Sequence, residues 1–291
     1  MNKAAIDIGS NTVQFLLINE REEILVREQF VTSLGRDLDK NKAFHENSML
    51  DTRKALDECS KYCAKYTLKP ENVKVTATEA SRVALNAKDF FNSILDSLGF
   101  KVEVISSDKE AYYSSKGFLF NNKLTEKFYS LVDIGGASTE LINIEVSPFQ
   151  VLKTISLPIG SVRMKNWDTE GILDGQLEKV FKSFDFAEFK TRRIIGLAGT
   201  STSLAAIDLK LERFIPKAVD QLVLSTEKMH KLKEVTSRLS VDELLEHYPF
   251  LGKRAQVIKY GARLFIELQK LLGFEEVEVT TRTLVHGSIL S

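Results

Sequence analysis

Apolar residues open this chain in short runs rather than long ones. Residues 3–8, 13–19 and 24–30 are each mostly apolar and are separated by polar or glycine-bearing steps, which predicts three consecutive strands in an antiparallel meander. The period then lengthens. Between residues 45 and 66, Met49, Ala55, Leu56, Cys59, Tyr62, Cys63 and Tyr66 recur at threes and fours, the stripe of a long amphipathic helix. Pro70 breaks that stripe. The pattern beyond it predicts a strand at 73–77, a helix at 89–98 stopped by Gly99, a strand at 101–105 and a helix at 108–119. Ser107 is the expected cap of that last helix. Asp108 and Glu110 fall in its first turn, where the helix dipole favours carboxylates.

The plan then restarts. Strands are expected at 129–133, 139–145 and 151–155, after which Leu157-Pro158-Ile159-Gly160 turns the chain into helical sequence. A strand at 194–197 runs through Gly199, Thr200 and Ser201 into another helix. Residues 253–272 read as a long helix closed by Gly273, and a strand at 277–280 precedes a short final helix. A meander followed by alternating helices and strands, twice over, predicts an α/β protein of two lobes, 1–124 and 125–291. The hinge is expected near residues 121–127, and the last helix has the option of packing back on the first lobe.

Inside this repeated plan lies a repeated motif. Ala5-Ile6-Asp7-Ile8-Gly9-Ser10-Asn11-Thr12 returns as Val132-Asp133-Ile134-Gly135-Gly136-Ala137-Ser138-Thr139, with the two aspartates 126 positions apart and an apolar run after each copy. Gly9, Gly135 and Gly136 permit positive φ and a close approach of backbone N–H groups to an anion. Ser10, Thr12, Ser138 and Thr139 add hydroxyl donors. Two phosphate-gripping hairpins facing one cleft would look like this, although either copy alone is also ordinary turn chemistry. Gly199, Thr200 and Ser201 form a third possible nucleotide or phosphate loop, which reads equally well as a plain strand-to-helix turn.

Composition narrows the ligand. A hydrophobic fraction of 43% over 291 residues suffices for two cores. Forty basic residues balance forty acidic ones, so no global field recruits nucleic acid or an anionic membrane, and a polyanion must be held locally. The sequence starts without a secretory leader pattern and has no apolar run of bilayer length, so a soluble, cytoplasmic protein is expected. Cys59 and Cys63 read as reduced packing thiols. His45, His230, His247 and His286 are scattered without metal-site spacing.

The two Asp-Gly hairpins and the turn Gly196-Leu197-Ala198-Gly199-Thr200 resemble the phosphate-1, phosphate-2 and adenosine motifs of the actin/Hsp70/sugar-kinase superfamily. Within it the chain is similar to the Ppx/GppA phosphatases, the exopolyphosphatases and guanosine pentaphosphate phosphohydrolases. Further marks are Val104-Ile105-Ser106 followed by Lys109-Glu110-Ala111, Leu157-Pro158-Ile159-Gly160-Ser161-Val162-Arg163, and Gly199-Thr200-Ser201-Thr202-Ser203-Leu204-Ala205. The resemblance spans nearly the full length. It implies two similar ribonuclease H-like, actin-like ATPase lobes, each a mixed five-stranded sheet flanked by helices, with an interdomain cleft. The short two-domain type is indicated, without the helical HD-like extension of longer relatives.

Position by position, the resemblance makes Glu110 the catalytic carboxylate that activates a water, and Arg82 an arginine that binds phosphate. Asp7, Asp133 and Glu140 match acidic positions near Mg²⁺, and Ser10, Asn11, Thr12 and Gly135, Gly136, Ala137, Ser138, Thr139 match the phosphate-binding hairpins. Such a site suits phosphoanhydride hydrolysis, which needs a positioned water, cations on the phosphoryl oxygens and a backbone cradle. The implied substrate is inorganic polyphosphate or guanosine pentaphosphate, and a homodimer stays open. Ala137 stands where the family usually has a third glycine, and the ending Thr281-Arg282-Thr283-Leu284-Val285-His286-Gly287 follows the family only loosely. Those departures keep a non-hydrolysing alarmone- or polyphosphate-binding regulator as the alternative. A sugar or small-molecule kinase of the same superfamily is a third reading, disfavoured because such kinases present an aspartate base.

Overall fold

The computed structural model describes all 291 residues in backbone and every side chain other than that of Asp39. In chain order the first half holds β1 (Lys3–Ile8), β2 (Thr12–Ile18), β3 (Ile24–Val31), α1 (Leu38–Asn41), α2 (Glu46–Lys65), β4 (Val73–Ala77), α3 (Glu79–Val83), α4 (Ala87–Leu98), β5 (Val102–Val104) and α5 (Ser107–Leu119). The second half holds β6 (Phe128–Ile134), β7 (Thr139–Val146), β8 (Phe149–Leu157), α6 (Ser161–Thr169), α7 (Leu173–Lys182), β9 (Arg193–Leu197), α8 (Ala198–Asp208) and α9 (Pro216–Val219). It continues through β10 (Val223–Ser225), α10 (Thr226–Arg238), α11 (Val241–His247), α12 (Ile258–Leu272), β11 (Glu276–Val279) and α13 (Leu284–Ser288).

The chain divides into two compact units, Met1–Asn121 together with Leu284–Ser291, and Asn122–Thr283. The boundary falls three residues before the expected 124/125, and the option left open for the last helix is the one the structure takes. The last eight residues leave the second unit and complete the first.

The first sheet has the order β3-β2-β1-β4-β5, with β1, β2 and β3 antiparallel and β1, β4 and β5 parallel. Alternation along β1 explains its two-sided core. Ala4, Ile6 and Ile8 pack with Leu56, Cys59, Phe91 and Ile94 of α2 and α4, whereas Ala5 joins Leu16, Ile18, Val285 and Ile289 on the opposite face. Cys59 and Cys63 are buried and unbridged, and burial pushes the Cys63 thiol up to about 11 and that of Cys59 higher still.

The second sheet repeats the order as β8-β7-β6-β9-β11 and adds β10 beyond β11, making six strands where five were expected. Three residues at an edge leave too short an apolar signal to read from sequence. Other differences are local. Ser106, not Ser107, caps α5, its hydroxyl accepting from Lys109 N–H at 3.3 Å. The predicted helix 253–272 begins as a 3₁₀ segment, Pro249–Gln256, kinked at Gly252 (φ 48°), before α12 proper. Gly99 and Gly273 end α4 and α12 in the left-handed conformation, as expected. Among the described residues, no helix is long and apolar enough to cross a membrane.

Candidate active site

In the first unit three parallel strands deliver their carboxyl ends to one edge, the place where open α/β sheets bind ligands. From β1 comes Asp7, only 7% exposed, whose register partner Thr76 on β4 brings a hydroxyl to 3.5 Å. Beyond β4, α3 carries Glu79 and Arg82. Beyond β5, the first turn of α5 carries Glu110. One Arg82 nitrogen (Nη1) donates to Glu110 at 2.8 Å and to the Ile105 carbonyl at 2.9 Å, while the other (Nη2) donates to Glu79 at 2.9 Å.

The side chain of Glu110 is 13% exposed and that of Arg82 20%. Burial raises the Glu110 pKa above the ordinary glutamate value, against the pull of the Arg82 cation and with a further push from Glu79. Burial and the guanidinium thus act on the Glu110 carboxylate in opposite directions, the first favouring its protonated form and the second its ionised form. Both Nη1 protons of Arg82 are engaged by protein oxygens, so in this structure its guanidinium holds the Glu110 carboxylate in place.

The turn after β1 closes by Gly9 N–H donating to the Thr12 carbonyl at 2.9 Å. Gly35 N–H supports it from behind, donating to the Ser10 carbonyl at 2.7 Å, with Thr32 and Ser33 donating to that of Asn11. No backbone carbonyl among the described residues takes the N–H groups of Ser10 and Asn11, so two adjacent donors remain at the bend.

The second unit repeats this construction. Gly135 N–H donates to the Ser138 carbonyl at 3.0 Å, and Gly136 and Ala137 keep their N–H groups clear of backbone acceptors among the described residues. Here the support is the start of α6: Ser161 donates to the Gly135 carbonyl, Val162 and Arg163 to that of Gly136, at 2.9 to 3.1 Å. Gly9, Gly135 and Gly136 do not adopt positive φ, contrary to expectation. Glycine is needed there and behind for closeness. A Cβ on Gly160 would stand 2.5 Å from the Gly136 carbonyl carbon, and one on Gly35 would stand 3.0 Å from Ser10 Cβ. Gly160 stands in a motif already singled out, but its buttressing role and Gly35 do not show in the sequence except as a matching Leu-Gly and Ile-Gly step 26 residues beyond Gly9 and 25 beyond Gly135.

Asp133 and Glu140 are register partners on β6 and β7, so their carboxylates share a sheet face. Glu140 is 4% exposed and accepts from Ser156 Oγ at 2.9 Å. Thr139 departs from its expected role. Its fully buried hydroxyl donates to the Ile159 carbonyl at 2.7 Å, and its counterpart in the first turn is the buried Val13. The third loop departs likewise. Thr200 spends its hydroxyl on the Ile134 carbonyl at 2.7 Å, and the Ser201 hydroxyl is buried without a hydrogen-bond partner. Ala198 is left-handed (φ 57°), a conformation costly for a side chain with Cβ, so this bend is strained.

Against Gly199 lies Arg254, which no sequence pattern marks out. Its guanidinium donates to Ser203 Oγ at 3.0 Å, and no carboxylate among the described residues pairs with it. Burial alone brings its pKa down to about 10. A half-buried cation therefore lies beside the start of α8, where the helix dipole is also positive.

Sheet order, duplicated turns and helices on the sheet faces define a protein of two ribonuclease H-like, actin-like lobes. The family model described as the Ppx/GppA phosphatase family matches residues 18–291, and the chain belongs to that family. It is 29% identical to the bifunctional 3-dehydroquinate synthase/phosphatase of Fusobacterium nucleatum, covering 99% of this chain and 46% of that protein, so the chain spans about half of that relative. Exopolyphosphatase 2 of Mycobacterium tuberculosis is 27% identical over 99% of this chain and 97% of its own length. The crystal structure of the Aquifex aeolicus family member superposes with a TM-score of 0.78 at 28% identity, covering 99% of this chain and 95% of that one.

Proposed function

We propose that this chain is a phosphohydrolase that releases terminal orthophosphate from inorganic polyphosphate, with Glu110 activating the attacking water. The observation that carries this reading is the Glu110–Arg82 ion pair, set by Glu79 and the Ile105 carbonyl at the carboxyl edge of the first sheet. Glu110 accepts the proton of the water as it attacks the terminal phosphorus, and Arg82 keeps the carboxylate oriented. In the first unit the paired N–H groups at Ser10–Asn11 are donors for phosphoryl oxygens; the second unit, by itself, offers the Gly136–Ala137 pair and the Arg254 cation as a further set of anion donors.

Asp7, Asp133 and Glu140 are hard oxygen donors at strand ends, of the kind Mg²⁺ takes while keeping most of its waters. Mg²⁺ held by Asp7 in the first unit, or by Asp133 and Glu140 in the second, would supply charge neutralisation to a phosphoryl group. Among the described residues no three His, Cys, Asp or Glu side chains form a metal-holding group, so one or two carboxylates with waters is the arrangement proposed. The exopolyphosphatase name of the relative matched over nearly its whole length supports polyphosphate over guanosine pentaphosphate.

The test is phosphate release by wild type and Glu110→Gln from short polyphosphate, long polyphosphate and guanosine pentaphosphate with Mg²⁺. Release that vanishes in a folded Glu110→Gln protein is expected. Equal turnover by the variant overturns the assignment, and tight binding by wild type without any release would put a non-hydrolysing regulator in its place.

A further inference from the structure

We propose that Gly287 is a positioning residue for Glu110: by letting α13 lie directly on the backbone of α5, it sets how far the first turn of α5 stands from Arg82. The inference rests on the reading of Glu110 given above. A Cβ on Gly287 would overlap the Tyr113 carbonyl oxygen and stand 2.8 Å from its carbon and 2.7 Å from Gly117 N. All three atoms are backbone, so no rotamer can yield. Tyr113 lies one turn beyond Glu110 on the same helix.

α13 cannot retreat either. Val285 and Ile289 are packed with Ala5, Leu16 and Ile18 on the sheet behind it. Around the crossing, Leu284 joins Ile105 and Tyr113, the rings of Phe120 and His286 lie 5.4 Å apart, and the Lys116 ammonium donates to the Leu290 carbonyl at 3.0 Å and to Ser291 Oγ at 3.2 Å. Arg82, by contrast, is carried by α3, a separate element that also anchors it to Glu79. A methyl at position 287 therefore separates the two halves of the ion pair, and displacements on the order of 1 Å cost catalysis heavily.

Steady-state kinetics on the full chain with short polyphosphate test this. Gly287→Ala should lower kcat about tenfold or more with KM changed by no more than about twofold, because binding donors elsewhere are untouched. Lys116→Met, which loosens the crossing without a wedge and serves if Gly287→Ala does not fold, should lower kcat about threefold in the same KM-independent way. Ile94→Ala, which weakens the core on the other sheet face, should lose melting temperature and keep kcat. Unchanged kcat in either folded crossing variant overturns the inference, as does an equal loss of kcat in Ile94→Ala. A fully active Glu110→Gln would instead sink the underlying reading, whereas an inactive Glu110→Gln beside a fully active Gly287→Ala sinks this inference alone.

Discussion

The turn at residues 9–12 and the turn at residues 135–138 close with the same hydrogen bond and offer the same pair of adjacent donors, yet they are braced differently. A loop reaches the first, and its glycine, Gly35, leaves a tight but relievable space next to a serine side chain. A helix start reaches the second, and Gly160 is pressed on backbone with no slack. The chemistry placed beside each differs more. The first unit gathers two carboxylates around one arginine. The second holds an arginine without a carboxylate. The backbone device is repeated in the two units, while the side chains around it differ in charge: a carboxylate–arginine cluster in the first and a cation without a carboxylate in the second.

That contrast can be broken most forcefully at the two specialised side chains. Glu110→Gln should cut phosphate release about 10² to 10⁴-fold with folding intact, a range typical of losing a general base, checked by released phosphate and circular dichroism. Arg254→Met should act oppositely on binding and stability. KM for polyphosphate should rise about tenfold, while urea unfolding gains at most about 1 kcal/mol because a half-buried cation without a carboxylate partner is gone.

The braces come next. Gly160→Ala should cost about 3 kcal/mol by urea denaturation, the upper range for overpacking, and Gly35→Ala about 1 kcal/mol; equal costs would mean that the two braces are equivalent after all. The smallest effect is on pH dependence. The Glu110 pKa is raised by folding, so the unfolded chain loses that proton first and stability falls as pH climbs from the unfolded to the folded value. Glu110→Gln should flatten that part of a stability–pH curve. The acid limb of wild-type activity should lie above the usual glutamate range, because the base works only when ionised.

Much of this was readable beforehand where the signal is local. The period change after residue 44, the Gly99 and Gly273 stops and the Asp7/Asp133 repeat depend on neighbours a few positions away, and the structure has them. Glu110 and Arg82 were singled out by motif, but their pairing spans 28 positions and depends on β4 and β5 lying side by side. Thr139 and Thr200 misled because a hydroxyl in a turn looks the same in sequence whether it faces a ligand or a carbonyl. Only the fold shows Ile159 and Ile134 waiting for them. Arg254 was invisible for the same reason, since what singles it out is the missing carboxylate rather than any neighbour in the chain.

The return of residues 284–291 to the first unit fixes an order of assembly. On the ribosome, residues 122–283 are synthesised as one uninterrupted stretch and can consolidate as soon as they emerge. In the amino-terminal sheet, Ala5, Leu16 and Ile18 meet Phe120 from their own half, but gain Val285 and Ile289 only after residues 122–283 have been made. The sheet that precedes residues 122–283 in the chain thus receives its last buried contacts after them.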